Sequence, residues 1–181
     1  TQSSNLAINL TMQTRGLPIS YIMSVGNQAS LGFSEIGKYL LSDPRVTALG
    51  LHVEGIGDLR AFEELAAEAR KLDKPIVVLK VGKSVQARRA AQSHTASLAG
   101  NAQGAKSLFK RLGISEVDRL DVLIDTLKIL NLYGPLPSNN IRSLSCSGGE
   151  ASLIADLAQE YGVKFPILGE ENNSELRSVL G

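Results

Sequence analysis

Four short runs rich in apolar and β-branched residues are spaced along the first two thirds of the chain: ISYIMSV at 19–25, TALGLHV at 47–53, PIVVLKV at 75–81 and the shorter ISEV at 114–117. Helical patterns separate them, and this alternation constrains the fold more than any other feature. Strands that recur after intervening helices pair in parallel, and a parallel sheet must be covered by helices on both faces. Asp58 can cap a helix whose Leu59, Phe62, Leu65, Ala69 and Leu72 share one face. Leu120, Leu123, Ile124, Leu127 and Leu130 repeat that stripe in a later helix. The expected architecture is an α/β fold with an open parallel sheet and helices on both faces.

The punctuation changes at YGPLPSNN, residues 133–140, whose two prolines, glycine and two asparagines cannot continue a helix or a central strand. It reads as a linker between a domain at 1–132 and a second unit at 141–181. That unit starts with a strand-like IRSLS at 141–145, turns at Ser147, Gly148 and Gly149, and continues into a helix bearing Ile154, Leu157, Ala158 and Tyr161. About 40 residues are too few for a full doubly wound domain, so a truncated second βα unit is expected, within a fragment of a longer chain.

Composition excludes several functions. Of 181 residues, 43% are hydrophobic and 20% charged, which suits a folded globular chain, and a net charge of +1 offers no global attraction to nucleic acid or an anionic membrane. A single cysteine allows no disulfide within the chain. Neither a membrane-spanning run nor a signal peptide is evident, so a cytoplasmic protein is expected.

Ligands of open parallel α/β sheets bind at the carboxyl ends of the strands. There the sequence offers Gly26-Asn27, Glu54-Gly55-Ile56-Gly57-Asp58, the stretch QSHTASLAG containing His94, and Cys146-Ser147-Gly148-Gly149. Gly82-Lys83-Ser84 imitates the end of a P-loop, but Val77 stands where its first glycine belongs. Arg60 likewise replaces the last glycine of a dinucleotide fingerprint. No metal-ligand spacing and no G-x-S-x-G elbow is present. His94 then reads either as a surface residue or as a group-carrying nucleophile, with Glu54 as the candidate carboxylate to hold its ring. Helix starts at Thr1-Gln2-Ser3-Ser4-Asn5 and at Ser147-Gly148-Gly149 could receive a phosphoryl group, or could simply be good caps. Lys80, Lys83, Arg88 and Arg89 add positive charge before His94. Cys146 is expected to be a small, partly buried structural thiol.

TQSSNLA, VEGIGD, SHTASLAG and CSGGEASLIADLA, in this order over nearly the whole chain, together resemble the NDP-forming acyl-CoA synthetases, relatives of succinyl-CoA synthetase. The resemblance implies a flavodoxin-like phosphohistidine domain, a linker and the start of a second ligase-like domain. It further implies that His94 carries the phosphoryl group, that Glu54 orients the imidazole, and that Ser3, Ser4 and Asn5 bind phosphate at one helix start. Ser147, Gly148 and Gly149 would do so at the other. Thr1 and Ser4 depart from the family's usual S-x-S-G, and Ala96 stands where glycine is frequent. CoA and ATP with Mg are implied as substrates, with no tightly bound cofactor and no resident metal. CoA-binding and ATP-grasp domains, in the same chain or a partner subunit, are the implied partners, and the fragment alone is expected to be inactive. Some protein lysine acetyltransferases carry a similar region that senses ligands, often without the histidine. A scaffold module that kept the fold without the chemistry is a third reading.

Overall fold

A computed structural model describes residues 4–28, 30–87 and 102–180. The chain divides into two compact units, Thr1–Pro135 and Leu136–Gly181.

In the first unit, α1 (Ser4–Thr11) and α2 (Phe33–Leu41) precede β1 (Leu49–Val53), and α3 (Leu59–Lys71), β2 (Ile76–Lys80), α4 (Ala102–Leu112), β3 (Ser115–Val117) and α5 (Leu120–Tyr133) follow. The strands form one parallel sheet in the order β1-β2-β3. Leu49 stands beside Ile76 and Val53 beside Lys80, while Val77 to Leu79 pair with Ser115 to Val117. The central strand β2 is buried throughout, and its two-residue period divides the core. Ile76 and Val78 join Leu51 and Val53 in a cluster with α2, α3 and α4. Val77 and Leu79 point the other way, onto Leu123 of α5. The expected parallel sheet with helices on both faces is therefore present.

Aromatic packing organises the larger cluster. Phe62 contacts Phe33 and Phe109 edge-on, with ring centroids 5.8 and 6.0 Å apart, an arrangement favoured by the ring quadrupole. In α3 the buried stripe is Phe62, Leu65, Ala66 and Ala69. Leu59 and Leu72, expected on that stripe, are exposed because they sit at the first turn and just past the last, beyond the sheet they would cover. On the opposite face, a Cβ at Gly50 would come within 2.6 Å of Leu127, so glycine in β1 lets α5 lie close.

Residues 19–25 do not form the expected strand. Side chains hold the segment instead: the Tyr21 hydroxyl donates to Asp43 at 2.6 Å, the Ser20 hydroxyl to the Arg45 carbonyl at 3.3 Å, and Val25 packs on the core. Ile19, Tyr21 and Met23 stay exposed. This segment and β1 both line a cavity of about 870 Å³, and among the described residues no strand pairs with the segment; a strand cannot exist without a neighbouring backbone within ladder distance.

The second unit contains α6 (Gly148–Glu160) and α7 (Glu170–Leu180). Residues 141–145 are not a strand; a single parallel bridge joins Asn140 and Lys164. One pairing gives too little ladder to organise five residues. In α6 only Ala158 is buried.

Two outcomes follow from this packing. Phe62→Ala removes the central ring of the stack and is expected to cost about 3–5 kcal/mol of unfolding free energy, measured by denaturant titration. His52 shares the α5 face of β1 with Gly50; its Nδ1 is buried without a hydrogen-bond partner, and burial lowers the imidazole pKa against an opposing pull from Glu54. Protonation therefore opposes folding. Stability contributed by neutral His52 is complete above the unfolded value of 6.5 and is lost as pH falls through the lower folded value. Thermal midpoints measured from about pH 7.5 to about pH 5 should fall less steeply in His52→Gln than in the wild type.

Candidate functional site at the carboxyl end of the sheet

Where β1 ends, the backbone passes through Glu54-Gly55-Ile56-Gly57 before Asp58 starts α3. The Asp58 carboxylate accepts the Ala61 N–H at 3.1 Å, as the cap requires. Gly57 has φ of +71°, a left-handed conformation that turns the chain from strand into helix. Glu54 is half-buried at this end and lines the cavity together with His52, Gly26 and Asn27. The turn at Gly26 closes with the Gln28 N–H donating to the Val25 carbonyl at 3.2 Å. Gln28 Oε1 then accepts the Phe33 N–H at 3.1 Å, and Glu35 accepts the Gly32 N–H at 2.7 Å, so side chains satisfy the start of α2.

Lys80, the last residue of β2, is only 3% exposed. Its ammonium donates to the Glu54 carbonyl at 2.7 Å and to the Val81 carbonyl at 2.5 Å. Burial lowers its pKa, as does nearby Lys83, while Glu116 and Glu54 act in the opposite direction. The Val81 N–H also donates to the Val53 carbonyl at 2.9 Å. The ends of β1 and β2 are thus tied by a main-chain bond and a buried cation. By sequence alone Lys80 reads only as local charge. Its place in phase with the buried Ile76 and Val78 was the signal of burial.

Gly82-Lys83-Ser84 makes structural contacts: Lys83 pairs with Glu116 at 2.6 Å, and the Ser84 hydroxyl accepts the Ala87 N–H at 3.0 Å. His94 and Ser3 lie outside the described residues, as do Arg88 and Arg89. Ser4 and Asn5 are the exposed first residues of α1. Leu6, Ala7 and Leu10 of that helix line the same cavity as Glu54, whereas Ser4 and Asn5 do not.

In the second unit, Ser147 occupies the extended N-cap position of α6 without a capping bond from its hydroxyl. Gly148 and Gly149 form the first turn, and a Cβ at Gly148 would meet no atom within 4 Å. Cys146 is exposed, not partly buried as expected, because the segment before α6 joins no sheet; its Sγ lies 3.8 Å from Glu150. Among the described residues no group of three or more His, Cys, Asp and Glu side chains is placed to hold a metal. No helix there is long and apolar enough to cross a membrane.

Comparisons with known proteins agree with the fold. The family model described as succinyl-CoA ligase like flavodoxin domain matches residues 1–130. The alpha subunit of an ADP-forming acetate–CoA ligase II from Pyrococcus furiosus is 35% identical over 99% of this chain, which spans 39% of that protein. A trans-feruloyl-CoA synthase from an unknown prokaryotic organism is 33% identical over 99% of the chain and 26% of its own length. Among solved structures, a dinucleotide-forming acetyl-coenzyme A synthetase 1 from Ca. Korarchaeum cryptofilum, in complex with phosphate and ADP, superposes with a TM-score of 0.86. It is 28% identical, over 98% of this chain and 39% of that one. With a parallel sheet, a glutamate at the carboxyl end of β1 and a family match across most of its length, the chain belongs to the succinyl-CoA ligase like flavodoxin domain family.

Proposed function

We propose that this chain is the phosphohistidine-bearing part of an ADP-forming acyl-CoA synthetase, with His94 carrying the phosphoryl group and Glu54 orienting its imidazole. The position of Glu54 carries the reading: it is half-buried at the carboxyl end of β1, in a chain whose relatives include ADP-forming acetate–CoA ligases. A carboxylate that accepts one ring N–H leaves the other nitrogen free to attack phosphorus. That nitrogen takes the terminal phosphoryl group of ATP, and ADP leaves. A carboxylate oxygen of the acid then attacks the same phosphorus and releases the histidine, and the CoA thiolate displaces phosphate from the acyl phosphate.

Ser3, Ser4 and Asn5 are assigned to phosphate binding at the start of α1, and Ser147, Gly148 and Gly149 at the start of α6. Glycine in a first turn lowers helix stability, and no neighbour at Gly148 calls for it. Open backbone N–H groups at a helix start suit an anion. Magnesium accompanies the nucleotide as substrate. The unit at 1–132 bears the histidine, the linker spans 133–140, and residues 141–181 begin a second ligase-like domain. CoA-binding and ATP-grasp parts come from the rest of the parent chain or from a partner subunit, so the fragment alone does not turn over. A cytoplasmic setting suits these substrates.

The test is to incubate the full-length parent with labelled ATP and follow acid-labile, base-stable protein phosphate. His94→Asn should abolish it, and equal labelling of wild type and variant overturns the assignment. Glu54→Gln should slow labelling by roughly 10–100-fold while leaving the thermal midpoint unchanged, in line with the effect of losing a carboxylate that orients a histidine. A parent that takes up no label at all would instead favour a ligand-sensing role.

A further inference from the structure

Lys80 has no role in the proposed group transfer, yet it is a cation buried to 3% exposure in a strand otherwise made of Ile76, Val77, Val78 and Leu79. An ammonium in such a place is costly unless its N–H groups find acceptors. An apolar side chain of similar length would fill the same space without that cost, so packing does not account for it. Its partners are main-chain carbonyls rather than a carboxylate, Glu54 at 2.7 Å and Val81 at 2.5 Å, and they lie at the end of the sheet that carries the candidate site. One belongs to the residue whose carboxylate is assigned to the imidazole. The other opens the segment that runs through Gly82 and Lys83 toward His94. Lys83 fixes that segment a second time through its ion pair with Glu116 at 2.6 Å.

We propose that Lys80 is a positioning residue for the phosphohistidine chemistry: its buried ammonium clamps the carbonyls of Glu54 and Val81 together, and so fixes the backbone from which the Glu54 carboxylate projects. The inference rests on the reading of Glu54 as the imidazole's orienting group. A change in the Glu54 carbonyl position rotates the carboxylate away from the ring, and a poorly held ring loses rate at the chemical step rather than affinity for nucleotide.

The experiment uses the full-length parent with Lys80→Met, which keeps length and removes charge and donors, and Lys80→Arg, which keeps both. Single-turnover labelling by ATP should slow by roughly 10–100-fold in Lys80→Met with an unchanged KM for ATP, and recover at least in part in Lys80→Arg. Combined with Glu54→Gln, Lys80→Met should add no further slowing, because both act through one carboxylate. A multiplicative double variant, or a wild-type rate in Lys80→Met, overturns the proposal.

Exchange of the Val81 amide, which donates to the Val53 carbonyl at 2.9 Å beside the clamp, supplies a readout independent of the reaction, expected to accelerate by about tenfold or more in Lys80→Met. Unchanged exchange there overturns the clamp even if the parent never phosphorylates His94. Should Lys80→Met fail to fold, Lys80→Gln, which keeps an N–H donor without the charge, is expected to show the same slowing to a smaller degree. Wild-type labelling and exchange in that variant would equally overturn the clamp.

Discussion

The central strand β2 has to be covered on both faces at once, and the rest of the first unit is arranged to do so. All five of its residues are buried, and a parallel strand so placed needs a helical layer on each side. Ile76 and Val78 meet the layer organised by Phe33, Phe62 and Phe109, while Val77 and Leu79 meet α5. The parallel course also sends every strand's carboxyl end the same way, which gathers the turns after β1 and β2 at one end of the sheet. The same alternation turns Lys80 inward beside Ile76 and Val78. Its ammonium must then find oxygen inside the protein, and the carbonyl of Glu54 is within reach.

Most of this arrangement was legible in the sequence because two-residue periodicity is strong where burial is complete. The segments TALGLHV and PIVVLKV overrun β1 and β2 by at most two residues at either end. The run ISYIMSV had equal β propensity and still failed as a strand, since propensity reports fitness for a half-buried pleated surface and says nothing of whether a partner backbone is within reach. Its polar anchors, Tyr21 to Asp43 and Ser20 to the Arg45 carbonyl, are long-range contacts that no local pattern contains. Helix ends failed for a related reason: periodicity continues through Leu59 and Leu72 although the sheet beneath does not.

At the candidate site, Glu54 and Asp58 could be found because they follow a strand directly, where position implies exposure to ligand. Lys80 could not, because a lysine ordinarily reads as a solvated charge. Cys146 erred in the opposite direction. Free cysteine is ordinarily buried, but burial needs a layer to enter, and the segment before α6 has one backbone bridge, Asn140 to Lys164, in place of a sheet.

Charge distribution gives the carboxyl end of the sheet a property that net charge conceals. A formal charge of +1 leaves no global field to draw in a nucleotide. Several surface cations are offset by a carboxylate at hydrogen-bond distance: Lys38 by Glu64, Arg15 by Asp125, Lys83 by Glu116. Such pairs in water are screened within about a Debye length of roughly 8–10 Å. Lys80 differs in both respects, being buried and bonded to carbonyl dipoles. A buried positive charge is felt further than the same charge in solvent, and this one lies where the strands end, within reach of Lys83, Glu116 and Glu54. The geometry that makes Lys80 costly to bury therefore also binds its charge to the carbonyls where β1 and β2 end, with Glu54 and Glu116 opposing it there.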